Sequence, residues 1–107
     1  MQVKEIKIED YLCAEMHKAF PTAEVFKFEL VRRGEADRLF LLPLGHAVFV
    51  EAKRPKKWLR DTQERARRRK LANGFRSYVV NTKEQVDELV ATLLLLFPQI
   101  KLIPLND

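Results

Sequence analysis

Length and composition exclude several classes of protein. The chain has 107 residues, which suits one domain over residues 1–107 and is too short for two. Hydrophobic residues make up 47%, and the longest apolar run, Leu93–Phe97, has five residues, whereas a membrane-spanning helix needs about 20. The N-terminal residues lack the apolar stretch of a secretory signal, and Cys13 is the only cysteine, which excludes an internal disulfide. We therefore expect a cytoplasmic protein without a membrane contact.

The positive charge of the chain is concentrated in one segment. The formal net charge is +5, but residues 53–70 contain ten basic and two acidic side chains, so the remainder of the chain is net negative. Such a run is usually the solvated face of a helix. So many basic groups this close together repel one another, which makes a polyanionic partner the better interpretation.

The first half of the chain predicts one helix followed by three strands. Apolar residues recur at helical spacing over residues 8–20, and Pro21 follows their end. Strands are predicted over residues 25–31, 38–42 and 46–52. Between the second and third strands, Pro43-Leu44-Gly45 suits a three-residue hairpin loop with Gly45 in the left-handed conformation.

The second half predicts a helix, a strand and another helix. Residues 60–72 form a polar helix with Asp61–Arg65 and Glu64–Arg68 as ion pairs one turn apart. The following elements are a buried strand at 76–80, a helix capped by Asn81-Thr82 that runs to about Phe97, and a short last strand at 100–104. The order α-β-β-β-α-β-α predicts an α/β domain, a mixed sheet flanked by helices.

The last helix ends in a run of four leucines followed by Phe97. Four successive residues cover about 300° of a helix, so this segment is expected to be buried on more than one side. Burial within the monomer, under the last strand, is one possibility. The interface of a two-fold symmetric dimer is the other.

The hairpin register brings two carboxylates together. If Leu42 pairs with His46, Asp37 lies opposite Glu51 with Cβ atoms about 5 Å apart, and Lys53 lies on the same face of its strand as Glu51. Opposed like charges destabilise a sheet, and a divalent cation between them reverses that effect. Oxygen ligands suit Mg²⁺ or Mn²⁺, so the sequence favours a metal site over an ordinary surface pair.

These residues resemble those of a known nuclease group. Asp37 followed by Glu51-x-Lys53 is similar to the PD-(D/E)XK superfamily, and the segments 33–38 and 48–55, with Gln63 and Gly74 downstream, resemble its virus-type replication-repair nuclease (VRR-NUC) domains. The resemblance covers about residues 5–92. Ala36 departs from it, because the superfamily usually has proline there. The resemblance implies a restriction-endonuclease-like α-β-β-β-α-β core.

The resemblance also implies a site. Asp37 and Glu51 would be metal ligands, with the Ala52 backbone carbonyl as a third. Lys53 would be the catalytic lysine, and Gln63 would support the site or contact the strand that is cut.

The family also has a glutamate near the start of its first helix. Glu9 matches it best and lies near the apolar face of the predicted helix, where a buried carboxylate needs a partner and a nearby cation would be one. Glu9 would then serve the site through a water molecule or at a second metal. Glu15 is the competing residue, and a solvated helix glutamate is the simpler interpretation for it.

The activity that the resemblance implies is metal-dependent hydrolysis of DNA by a metal-activated water, in a bacterial or virus-infected cell. Stand-alone members resemble homodimeric resolvases of four-way (Holliday) junctions, whereas a monomeric flap or single-strand nuclease and a non-catalytic nucleic-acid-binding module are the alternatives. Branched or structured DNA would be the partner. The candidate DNA contacts are the basic residues Arg38, Arg54, Lys56, Lys57, Arg60, Arg65, Arg67, Arg68, Arg69 and Lys70.

Overall fold

The computed structural model describes residues 5–27, 38–53 and 59–97. Its elements are α1 (Glu5–Ala19), β1 (Glu24–Lys27), β2 (Arg38–Leu42), β3 (His46–Ala52), α2 (Asp61–Ala72), β4 (Arg76–Val80) and α3 (Lys83–Leu96). The predicted order is confirmed, and the three strands predicted at 38–42, 46–52 and 76–80 have the bounds expected of them. The predicted strand at 100–104 and the end of the first strand lie outside the described residues.

The described strands form a four-stranded mixed sheet in the order β1-β2-β3-β4. β2 pairs antiparallel with both β1 and β3. β4 is parallel to β3, because α2 returns the chain to the edge of the sheet where β3 begins. This is the α/β architecture of restriction-endonuclease-like domains, as expected.

The hairpin between β2 and β3 has the predicted register. Leu42 pairs with His46 and Leu39 with Phe49, and the register continues to Arg38 opposite Val50. Gly45 has φ +81°, which confirms its left-handed conformation. Leu44 also has a positive φ, 66°, which the sequence did not indicate because a leucine rarely adopts it.

The pleat of β3 gives the sheet two different faces. Val48, Val50 and Ala52 are fully buried in the main core, which they share with apolar residues of α1 and α3. The alternating residues Phe49 and Glu51 point to the other face, where α2 packs. The sheet therefore separates the α1–α3 core from the α2 side.

The leucine-rich end of α3 is only partly buried. Leu93 is in the core, following Val86 and Leu89 at helical spacing. Leu94, Leu95 and Leu96 are exposed, and Leu95 retains 83% of its accessible surface. The strand at 100–104 that was expected to cover this segment lies outside the described residues.

No helix within residues 5–27, 38–53 and 59–97 has the length and apolar content needed to cross a membrane.

Candidate functional site

The carboxyl end of β3 presents a buried carboxylate between two donors. Glu51 is 5% exposed, and its Oε1 accepts a hydrogen bond of 2.8 Å from Gln63 Nε2. Lys53 Nζ lies 3.3 Å from the same oxygen. The Lys53 backbone N–H donates to Val80 O at 2.8 Å, which ties the chain after β3 to the end of β4. An amide and an ammonium together stabilise the ionised form of Glu51.

Gln63 connects this carboxylate to the beginning of α2. It occupies the third position of the helix, and its Oε1 accepts a hydrogen bond of 3.0 Å from the Arg60 backbone N–H. Its side chain therefore caps the helix with one end and holds Glu51 with the other. Only 7% of Gln63 is exposed, so both ends of the amide are fixed in the interior. Whether Gln63 supports the site or contacts the strand that is cut stays a prediction.

Glu9 lies on the opposite side of the sheet from Lys53 and Gln63. Its carboxylate is 3.4 Å from the guanidinium of Arg38, and the two side chains are 13% and 14% exposed. Arg38 pairs with Val50, whose side chain belongs to the α1–α3 core. Arg38, predicted as a DNA contact, is therefore an ion-pair partner of a nearly buried carboxylate.

Glu15 does not join either group. It is paired with Lys18 at 3.1 Å, one turn along the outer part of α1. The solvated helix glutamate expected there fits this arrangement.

The structure describes two of the main metal ligands proposed from the sequence, Glu51 and Ala52, but not Asp37. Asp37 lies outside the described residues, although the observed β2–β3 register is the one that predicted its position opposite Glu51. Within the described ranges, no cluster of three His, Cys, Asp or Glu side chains is close enough to hold a metal. The donors available at the end of β3, a carboxylate and the Ala52 backbone carbonyl, are hard oxygen ligands of the kind that Mg²⁺ and Mn²⁺ prefer.

The predicted DNA-binding residues on α2 differ in exposure. Arg60, Arg65, Arg68 and Arg69 are exposed, whereas Arg67 and Lys70 are half-buried. Glu64 lies 3.7 Å from Arg67 and 3.6 Å from Arg68, so the predicted pairing of Glu64 with Arg68 is confirmed. The predicted Asp61–Arg65 pair does not form, although both residues are described. Arg54, Lys56 and Lys57 lie outside the described residues.

Comparison with known proteins agrees with this geometry. No family model and no curated protein matches the sequence. A solved structure described as a VRR_NUC domain is similar to it, with a TM-score of 0.74 and 28% sequence identity over 83% of this chain and 96% of that chain. The chain therefore has the fold of a VRR-NUC domain. This fold is that of a nuclease domain, which implies a nucleic-acid substrate.

Within this fold, three of the predicted site residues meet at one place. Glu51, Lys53 and Gln63 are joined by side-chain contacts, whereas Glu9 contacts Arg38 instead. Sequence reasoning did not single out Phe75 or Arg76, which adjoin the far end of α2. The sequence feature that could have indicated them is an aromatic residue next to a basic residue, directly after the end of the helix at Gly74.

Proposed function

We propose that this VRR-NUC domain is a metal-dependent DNA endonuclease that resolves four-way junctions as a homodimer. The observation that carries the catalytic part is the buried Glu51 carboxylate, held by Gln63 at 2.8 Å and by Lys53 at 3.3 Å. Burying a carboxylate is costly unless it is well partnered, so a fold that keeps one here for no chemical use would be less stable than an apolar alternative.

The residues present suit a hard divalent cation. Glu51 and the Ala52 carbonyl would hold Mg²⁺ or Mn²⁺, and Asp37 would complete the set. When bound, such a cation lowers the pKa of a water molecule and offsets the negative charge of the phosphate.

The chain's own groups orient and stabilise the reaction. Gln63 fixes the rotamer of Glu51, because its amide is itself held by the Arg60 backbone N–H at 3.0 Å. The Lys53 ammonium lies at the mouth of this arrangement, 14% exposed, and would stabilise the negative charge that develops on the phosphate during attack. The basic residues of α2 would bind the flanking phosphates.

The exposed end of α3 supports the dimer. Leu94, Leu95 and Leu96 are adjacent in sequence and exposed, with Leu95 at 83%. Exposed apolar surface of this kind is typical of an interface between subunits. Two copies related by two-fold symmetry would supply two active sites, which paired cuts in a junction require.

A cleavage assay with three substrates tests the proposal. Purified protein is incubated with a labelled four-way junction, a flap and a plain duplex, each with Mn²⁺, Mg²⁺ or EDTA. We expect paired symmetric cuts in the junction that EDTA abolishes. Glu51→Gln and Lys53→Met should each lower the rate by about 100-fold or more. Glu84→Gln, which neutralises an exposed carboxylate in the first turn of α3, should leave the rate unchanged.

Other outcomes assign the chain differently. Cutting of flaps or single strands alone would keep the nuclease chemistry and refute junction resolution. Binding without cutting of any substrate would leave a nucleic-acid-binding module. The dimer is tested separately by light scattering, where Leu95→Glu should halve the molar mass; a wild-type monomer would refute that part.

A further inference from the structure

A corner of the fold away from Glu51 combines aromatic rings with cations. It lies where α2 leads into β4 and where β3 begins. We call it the aromatic corner, and it consists of His46, Lys70, Phe75, Arg76 and Phe97. Phe75 is 46% exposed although it directly precedes a strand. An exposed aromatic ring at a fixed place in the fold is a candidate for ligand contact.

The rings and cations of the aromatic corner are held in place by one another. Phe75 packs edge-on against Phe49, with ring centroids 5.9 Å apart, and Lys70 Nζ lies 5.0 Å above the Phe49 ring. On the other side, the Arg76 guanidinium lies 5.3 Å from the Phe97 ring. Phe97 is stacked on His46 at 3.9 Å. These contacts hold the cationic side chains of Lys70 and Arg76 close to Phe75.

The surface around the aromatic corner is cationic. Two shallow depressions meet at Phe75 and Arg76, and none of the described residues that line them is acidic. Arg67 lines one depression and His46 the other. A polyanion complements such a surface. A second copy of the chain does not, because a two-fold interface would place like charges against each other.

The aromatic corner lies at a defined distance from the candidate active site. Five residues of β3 separate His46 from Glu51, which corresponds to about 17 Å along an extended strand. α2 bridges the same interval, since Gln63 contacts Glu51 near its beginning and Lys70 lies over Phe49 near its end. Each strand of duplex DNA carries one phosphate per about 3.4 Å of helix axis, so about five base pairs of a duplex arm cover this distance. The exposed arginines of α2 lie between the two ends.

We propose that the aromatic corner binds an unpaired stretch of the DNA substrate, about five nucleotides from the bond that is cut. A base stacks on Phe75, and Arg76 binds an adjoining phosphate. Aromatic rings interleaved with cations are how proteins bind single strands, because an unpaired base offers a ring face that duplex DNA conceals. This inference rests on the proposed function, since it takes DNA as the ligand.

Binding measurements in EDTA, which stops cleavage, test this proposal. Fluorescence anisotropy gives the affinity for labelled oligothymidylate of about 15 nucleotides and for a duplex of similar length. We expect Phe75→Ala to weaken oligothymidylate binding about tenfold and Phe75→Leu to do nearly the same, because both remove the stacking surface. Phe75→Tyr should bind within about twofold of wild type, since it keeps the ring. Duplex affinity should be unchanged in all three variants.

A second variant and a matched control sharpen the test. Arg76→Gln should lower the slope of log affinity against log salt for oligothymidylate by about 0.7, the value for one phosphate contact on a single strand. Phe26→Ala removes a ring of the same exposure, 48%, from the opposite edge strand, and should leave both affinities unchanged.

Several results would overturn the inference. One is an oligothymidylate affinity that is unchanged in Phe75→Ala, and another is an equal loss of duplex affinity in that variant. An equal loss of oligothymidylate affinity in Phe26→Ala would also overturn it. So would a molar mass of Phe75→Ala that differs from that of the wild type, because the corner would then be a subunit interface. Failure of the proposed function looks different. A wild type that never cuts DNA, but whose single-strand binding depends on Phe75, refutes the nuclease and retains the corner. Cleavage that depends on Glu51, with normal binding by Phe75→Ala, refutes the corner alone.

Discussion

Gln63 offers the most direct test of how the candidate site is held together. Gln63→Leu keeps much of the side-chain volume but removes two contacts, the hydrogen bond to Glu51 Oε1 at 2.8 Å and the one from the Arg60 backbone N–H at 3.0 Å. Both Gln63 and Glu51 are buried, so water does not replace the lost donor. We therefore expect a loss of stability that is larger than that of an ordinary helix substitution.

The structure sets the size of this loss. A hydrogen bond to a charged group contributes about 1.5–3 kcal/mol, and a helix-capping contact contributes about 1 kcal/mol. The free energy of unfolding of Gln63→Leu should therefore fall by about 2.5–4 kcal/mol, a large part of the 5–15 kcal/mol typical of domains. At about 4 °C per kcal/mol, the midpoint of thermal unfolding should drop by about 10–16 °C.

Gln85 provides a matched control on another helix. Its Oε1 accepts a hydrogen bond of 2.7 Å from the Asn81 backbone N–H, which reproduces the capping contact of Gln63 without the carboxylate. Gln85→Leu should thus cost about 1 kcal/mol. Urea unfolding in EDTA measures both variants free of metal binding, and an unchanged denaturant slope shows that the two-state comparison holds.

A double-mutant cycle isolates the charge. In a Glu51→Gln background the contact becomes an amide–amide bond, so Gln63→Leu should cost about 1–1.5 kcal/mol less than it does in the wild type. An equal cost in both backgrounds would refute the conclusion that Gln63 stabilises an ionised Glu51. A cost no larger than that of Gln85→Leu would refute it as well.

Three further substitutions have defined outcomes. Thr82→Ala removes the hydroxyl that caps α3 at 3.1 Å and should lower unfolding free energy by about 1 kcal/mol in urea. Leu44 has a positive φ of 66°, which asparagine adopts more readily, so Leu44→Asn should raise the free energy of unfolding by about 0.5–1 kcal/mol. A decrease in that free energy would refute strain at the turn. The hydrogen bond to Asp87, 2.6 Å, raises the pKa of Tyr11 to about 12. In Tyr78→Phe, absorbance titration should therefore show a tyrosine midpoint near 12, and the stability that Tyr11 contributes below pH 10 should disappear as pH rises through 12.

The sequence determined the local elements and one important register. A loop of three residues between strands at 38–42 and 46–52 pairs Leu42 with His46, and this register puts Phe40 opposite Val48. Loop length and a glycine suited to positive φ therefore fixed how β2 meets β3. Alternation within a strand then placed Glu51 and Lys53 on one face, which the 3.3 Å contact between them confirms.

The tertiary structure decided which partners these residues have. Periodicity assigns a residue to a face but does not say which helix covers that face, because contacts across a sheet join segments that are distant in sequence. The packing of α2 places Gln63 in contact with Glu51, and the packing of α1 places Glu9 in contact with Arg38 on the other side of the sheet. The same packing left the last leucines of α3 exposed and set Phe75 beside Phe49, neither of which a sequence pattern could specify.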